Sequence, residues 1–210
     1  VDDLKPTLGT YADNIAIGPN IDQLADEGIR FTYAYANQAI CAPSRYNLLL
    51  GSRSTSTGFY GFGKQFRDVY PDAITLPQHI KDNGYQVESM GKVFHIGHGN
   101  TDDEASWTRE EAFFENTRLY YDNVPNNKEL PRGAAWEMPD VVDDAYADGR
   151  VANHAIDRLR VLSGKPDQPF FMALGFARPQ LPFSVPKKYW DMYNREQLPM
   201  PEFRDGPKDA

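Results

Sequence analysis

The chain has 210 residues, 40% of them hydrophobic, with 22 Lys and Arg against 30 Asp and Glu and a formal net charge of −8. That is enough apolar material for one core, a single domain or part of one, and too acidic for general nucleic-acid binding, which needs a basic surface. No stretch approaches the roughly 18 apolar residues of a membrane span, and the single cysteine permits no internal disulfide and leaves the redox compartment unread.

In chain order, Asp2 and Asp3 come first, after what reads as the tail of a buried strand. Two acids leaving a strand are either a solvated turn or the start of a hard-cation site, since carboxylate oxygens suit calcium or magnesium. Residues 20–28 predict a short helix with Ile21 and Leu24 on one face and Gly28 as its stop. Residues 29–35 alternate as Ile-Arg-Phe-Thr-Tyr-Ala-Tyr, the pattern of a half-buried strand leading toward Cys41. In Cys41-Ala42-Pro43-Ser44-Arg45, Pro43 suits a first helical turn and Gly51 closes the apolar run behind it. Cys41 is then either a small buried hydrophobe or a group presented at a helix N-terminus, where unpaired N–H groups and the dipole favour an anion. Arg45, one turn on, adds a cationic fork suited to a tetrahedral oxyanion.

Residues 51–70 lack periodicity and predict loop, with Lys64, Arg53 and Arg67 left outside the site. Residues 75–83, followed by Gly84, predict a helix, and residues 86–90 a strand that delivers Gly91-Lys92-Val93-Phe94-His95 to the carboxyl edge of a sheet. Lys92 and His95 are three apart, so in a turn or short helix they face one ligand. His98 is an ambiguous neighbour. Residues 99–145 are polar and acidic and predict a long insertion over the sheet edge. Residues 147–162 are the clearest amphipathic helix, with Val151, Ala155, Leu159 and Leu162 on its stripe and His154 in a structural role. After a turn at 165–168, residues 169–176 predict a central strand, apolar on both faces.

The motif Cys41-Ala42-Pro43-Ser44-Arg45 resembles the C-x-P-S-R signature of the type I sulfatase family, in which the cysteine is oxidised to formylglycine. Further blocks are similar to the iduronate-2-sulfatase group and its bacterial relatives, in the family's order as far as about Tyr193. They are Val1-Asp2-Asp3-Leu4-Lys5-Pro6, Pro19-Asn20-Ile21-Asp22-Gln23-Leu24-Ala25, Gln38-Ala39-Ile40-Cys41, Gly91-Lys92-Val93-Phe94-His95, and Pro169-Phe170-Phe171 running on to Arg178-Pro179-Gln180-Leu181-Pro182-Phe183.

The resemblance implies an α/β, alkaline-phosphatase-like fold: a central, mostly parallel sheet flanked by helices, here incomplete. Residues 1–210 would be the N-terminal part of the large catalytic domain. It also implies a sulfuric ester hydrolase acting on a sulfated carbohydrate or other sulfate ester. Cys41, Arg45, Lys92 and His95 would be catalytic; Lys92, His95, Arg178 and Gln180 would contact substrate; Asp2, Asp3 and the modified Cys41 would hold Ca2+ or Mg2+. The implied chemistry is attack on sulfur by a hydroxyl of the hydrated formylglycine and release of sulfate as the aldehyde reforms. The implied partner is a formylglycine-generating enzyme, and the implied setting periplasmic, secreted or lysosomal.

Two departures stand out. Gln180 occupies a position where the family has histidine, and glutamine donates hydrogen bonds without serving as an acid; Leu50 stands where the signature usually has Thr. The family's later metal ligands and later lysine have no counterpart in this stretch, so the chain as given is expected to bind metal weakly and to show little activity. A phosphate or phosphonate ester hydrolase and a non-catalytic binder of sulfated glycans are the alternatives.

Overall fold

The computed structural model describes residues 1–108, 112–113, 133–200 and 206. Its helices are α1 (Pro19–Glu27), α2 (Cys41–Leu50), α3 (Ser54–Thr57), α4 (Phe66–Val69), α5 (Leu76–Asp82), α6 (Ala147–Ser163) and α7 (Lys187–Trp190). Strands β1 (Gln86–Gly91), β2 (Ala112–Phe113) and β4 (Phe170–Gly175) form a parallel sheet in the order β2-β1-β4, and β3 (Trp136–Glu137) pairs in parallel with β5 (Phe183–Ser184).

Parallel neighbours need a crossover, and α6 lies in the connection from β1 to β4. The period of two along a strand then sorts residues between two layers. Val87, Phe171 and Ala173 join Tyr46, Leu49, Phe59, Phe66, Phe94 and Trp107 on one face; Met90 and Met172 meet Val151 and Ala155 of α6 on the other. Thr75 caps α5 by accepting the Gln78 N–H at 3.2 Å, and Gly84 leaves it at φ 88°. These elements lie where the pattern put them.

Four expectations are corrected. Residues 29–35 form no strand: with no ladder partner among the described residues, Ile29, Phe31, Tyr33 and Tyr35 are all at least 70% exposed. Of the two long strands, β1 is the buried central one, with α5 and α6 packed on it, while β4 has Phe170 and Leu174 exposed. The 51–70 stretch contains α3 and α4, the latter burying Phe66. Residues 99–108 are core rather than insertion, with Asp103, Ser106 and Trp107 buried. Residues 109–111 and 114–132 of the expected insertion lie outside the described residues. The apolar residues Ile21 and Leu24 of α1 are exposed, as is Leu159 on α6.

Candidate active site

Three segments meet at the carboxyl ends of β1 and β4. The two strands end on a glycine pair, Gly91 opposite Gly175, and the Lys92 N–H donates to the Gly175 carbonyl at 2.7 Å. A Cβ on Gly175 would stand 1.9 Å from the Lys92 carbonyl oxygen, and one on Gly91, which is at φ 72°, 2.2 Å from the Gly175 carbonyl oxygen. Only glycine at both places lets the chain turn so tightly. The leading acids reach the same corner because the Asp2 N–H donates to the Phe176 carbonyl at 3.0 Å.

The third segment is α2. Extended Ile40 is its N-cap, Cys41 its first residue, and Gly51 ends it in the left-handed conformation at φ 62°. Cys41 is half-buried. Arg45, four residues on and therefore on the same face, donates to Asp2 Oδ1 at 2.5 Å, to the Val93 carbonyl at 2.9 Å and to the Lys92 carbonyl. Lys92 Nζ donates to Asp2 Oδ2 and, at 2.9 Å, to Gln180 Oε1. Burial of Asp2 pushes its carboxyl pKa up, but the hydrogen bonds and charges of Lys92 and Arg45 win and hold it below the ordinary carboxylate value. Asp2 is thus an ionised, 5% exposed carboxylate spanned by two cations.

His95 is also 5% exposed. Its Nε2 lies 3.3 Å from His98 Nδ1, its Nδ1 is buried without a protein partner among the described residues, and the Phe62 ring lies 4.8 Å away. Burial, then the charges of Lys92, His98 and Arg45, lower its pKa to about 4 against a smaller opposing effect of Asp2. At neutral pH it is an uncharged base.

The sequence-predicted residues divide accordingly. Asp2, Arg45, Lys92 and Gln180 form one connected group, Cys41 is carried by Arg45's helix, and His95 stands within its field. Asp3 is exposed at φ 57° and takes no part in the ion-pair group. Arg178, which follows the buried Ala177 and precedes Pro179 through a cis peptide, donates to the Gln180 carbonyl at 3.2 Å. Its side chain also lines a neighbouring cleft of about 910 Å³ with Trp136, Tyr189, Trp190, Tyr193 and Arg195. Leu50 packs against the aromatic core, which accounts for an apolar residue at that position.

A hard divalent cation takes six or more oxygens. Both oxygens of Asp2 already serve cations, Asp3 faces solvent, and among the described residues no group of three or more His, Cys, Asp or Glu side chains converges. These donors alone do not fit a calcium or magnesium site.

Sequence reasoning missed Asp148. In the first turn of α6, its carboxylate accepts the N–H groups of Ala177 and Arg178, both at 2.9 Å, and so fixes the exit of β4. An acid in a first turn is legible as a dipole partner, but acceptors for donors 29 and 30 residues away are not. Arg67 was read as loop; it is clamped on Asp103 at 2.5 and 2.9 Å.

Comparison with known proteins gives a match to the family described as Sulfatase over residues 1–205. The chain is 36% identical over 222 residues to iduronate 2-sulfatase of Homo sapiens, covering 98% of this chain and 39% of that protein. It is 32% identical over 219 residues to a sulfatase of Formosa agariphila, covering 97% and 42%. It therefore spans about two-fifths of the length of these relatives. Phosphonate monoester hydrolase of Agrobacterium radiobacter superposes with a TM-score of 0.62 at 21% identity, over 92% of this chain and 42% of that one. A protein solved in complex with its substrate D-glucosamine-2-N,6-O-disulfate gives 0.54 at 24%, over 83% and 32%. These likenesses establish the fold as alkaline-phosphatase-like.

Proposed function

The chain belongs to the sulfatase family, and from that premise we propose that it carries the nucleophile-bearing part of a sulfuric ester hydrolase acting on a sulfated carbohydrate. The observation that carries this reading is the convergence of Arg45 and Lys92 on Asp2, across 43 and 90 residues of sequence, beside the helix N-terminus that bears Cys41. Two cations held against a dipole's positive end make a place for a tetrahedral anion in a chain whose net charge would repel one.

Converted to formylglycine by a generating enzyme, Cys41 supplies a hydrated carbonyl whose hydroxyl is a nucleophile toward sulfur. The half-buried position at the start of α2 fits that role. Arg45 and Lys92 turn from Asp2 toward the anionic oxygens and stabilise the charge that develops on them. His95, neutral and with Nδ1 unpartnered, accepts a proton. Gln180 steadies Lys92 as a neutral amide and leaves protonation of the departing oxygen to another group. Asp2 and Asp3 would contribute oxygens to Ca2+ or Mg2+ only if further donors completed the shell.

The cleft beside Arg178 suits the carbohydrate. Trp136 and Trp190 stack at 5.1 Å along a largely apolar wall bordered by Arg178 and Arg195, so that ring faces meet a sugar and guanidiniums its anionic substituents. Among the described residues no helix is long and apolar enough to cross a membrane; a periplasmic, secreted or lysosomal setting is part of the proposal.

The test is the mass of the Cys41 peptide after co-expression with a formylglycine-generating enzyme. An aldehyde in place of the thiol supports the reading, and an intact thiol favours a non-catalytic binder of sulfated glycans. Parallel turnover of aryl sulfate and aryl phosphate esters by the longest natural form of the protein separates the remaining pair: preference for phosphate overturns the sulfatase assignment in favour of a phosphate or phosphonate ester hydrolase.

A further inference from the structure

Beyond the group around Asp2, the turn that follows His95 is built with unusual care. Gly97 and Asn100 exchange backbone hydrogen bonds at 3.0 and 2.9 Å, and the two residues between them, His98 and Gly99, have φ of 53° and 83°. Positive φ at both central positions is the geometry of a type I′ turn, where Asn, Asp and Gly are the usual occupants. Histidine is one of the few non-glycine residues that occupy this left-handed region with any frequency.

Asn100 ties the turn into the fold. It donates to the Tyr46 hydroxyl at 3.0 Å and the Lys64 carbonyl at 2.9 Å, and accepts the Gly63 N–H at 3.2 Å. The same anchoring lays the Phe62 ring across both imidazoles, 4.8 Å from His95 and 5.0 Å from His98. The two imidazole centroids are 5.6 Å apart with only 21° between their planes, and His95 Nε2 lies 3.3 Å from His98 Nδ1. The facing nitrogens meet the geometry of an N–H···N bond, with the donor set by which tautomer each ring adopts.

We propose that His98 is a positioning residue that holds His95 as its Nε2–H tautomer, so that Nδ1 is the ring nitrogen left free to take a proton. The opposite arrangement, His98 Nδ1–H donating to His95 Nε2, places the proton of neutral His95 on Nδ1, where it would be a buried N–H with no protein acceptor among the described residues. Orphaned buried donors are rare because their desolvation is not repaid. Among the described residues, the charges that act on His95 are those of Lys92, His98, Arg45 and Asp2. Tautomer control by the partner of the second ring nitrogen is the general means of setting a histidine's role. The catalytic meaning of this tautomer rests on the sulfatase reading above; the tautomer itself does not.

The experiment is long-range proton–nitrogen NMR of the ring nitrogens above neutral pH, on the intact chain, whose four histidines are assigned by single replacement with Gln. In the wild type, His95 shows a protonated Nε2 and a bare Nδ1. His98→Asn keeps that pattern, because Asn tolerates the left-handed backbone and offers Oδ1 near the place of Nδ1. His98→Gly, which relaxes the backbone and removes the acceptor, loses it and gives shifts averaged between the two tautomers. His95 found as the Nδ1–H tautomer, or unaltered in His98→Gly, overturns the proposal. An intact Cys41 thiol with the expected tautomer instead removes the sulfatase reading and leaves the positioning role standing.

Discussion

Helix α2 serves two regions of opposite character. Toward its C-terminus it sends Tyr46 and Leu49 into an aromatic core in which Tyr46, Phe59, Phe66, Phe94 and Trp107 pack ring against ring at 5.2 to 6.4 Å. The polar atoms of those rings are matched: Tyr46 bonds Gln65 and Asn100, and Trp107 Nε1 bonds Asp102. At its N-terminal end the same helix offers Cys41 and Arg45 to a corner where two cations share one carboxylate and, among the described residues, Arg45 Nε and His95 Nδ1 are buried without protein partners. Leaving such groups unpaired costs stability. Unpaired atoms alone do not separate the two regions, since Asn47 Oδ1 and Asp102 Oδ1 on the core side are also buried without protein partners among the described residues; the difference is ring packing at one end of α2 and a shared, buried charge at the other.

The core should give the larger effect. Trp107→Ala empties a 2% exposed site and should cost ~3–5 kcal/mol, read by urea denaturation, as a drop at every pH. A loss below 1 kcal/mol would mean that the core does not depend on that ring.

The corner should differ by responding to pH. His95 has a folded pKa of about 4 against an ordinary 6.5, so between those values the unfolded chain binds more protons and stability rises with pH. It is lost as pH falls through that window, by about 3 kcal/mol at ~1.36 kcal/mol per unit. His95→Gln should flatten the slope there, whereas Trp107→Ala should leave it intact. Unchanged slopes in His95→Gln would place the titration elsewhere.

The balance of charge can be tested through Asp2. Its folded pKa lies below the ordinary 3.8, so its contribution is present above that value and disappears as pH falls through the lower folded one. Asp2→Asn should remove this acid limb and cost ~2 kcal/mol at neutral pH, the scale of hydrogen bonds to a charged group. It should also free Arg45 and Lys92, so that inorganic sulfate raises the melting temperature of the variant more than that of the wild type. Equal sulfate responses would show that these cations do not form the anion site.

Much of this was legible in the chain. Periodicity marked α5, α6 and β1, Gly51 and Gly84 marked helix ends, and the Cys41 to Arg45 motif located the corner. What misled was pattern without partner: residues 29–35 alternate as a strand should, yet alternation buries a face only where another strand supplies the ladder. Long-range pairings were equally hidden. Glu88, in a central strand, looks like an error of patterning until Arg158 of α6 is seen to donate to it at 2.7 and 3.0 Å. Asp148 and the Gly91–Gly175 contact act through chain segments that nothing local identifies.

The smallest effect is expected at Gln180, and it tests how the corner is set rather than whether it exists. Lys92 Nζ keeps Asp2 when Gln180 is removed, so Gln180→Ala should cost only ~1 kcal/mol, the scale of one hydrogen bond. Its consequence for sulfate should be larger than for folding, since a Lys92 held from one side alone is free to fold down on Asp2. The neutral amide accepts the Lys92 N–H at every pH. An imidazole in its place stops accepting once protonated and then repels the ammonium. Gln180→His should therefore make the sulfate-induced rise in melting temperature vary with pH across the range in which histidine titrates, while the wild type stays level there. A level response in both proteins would show that residue 180 does not govern how Lys92 meets the anion.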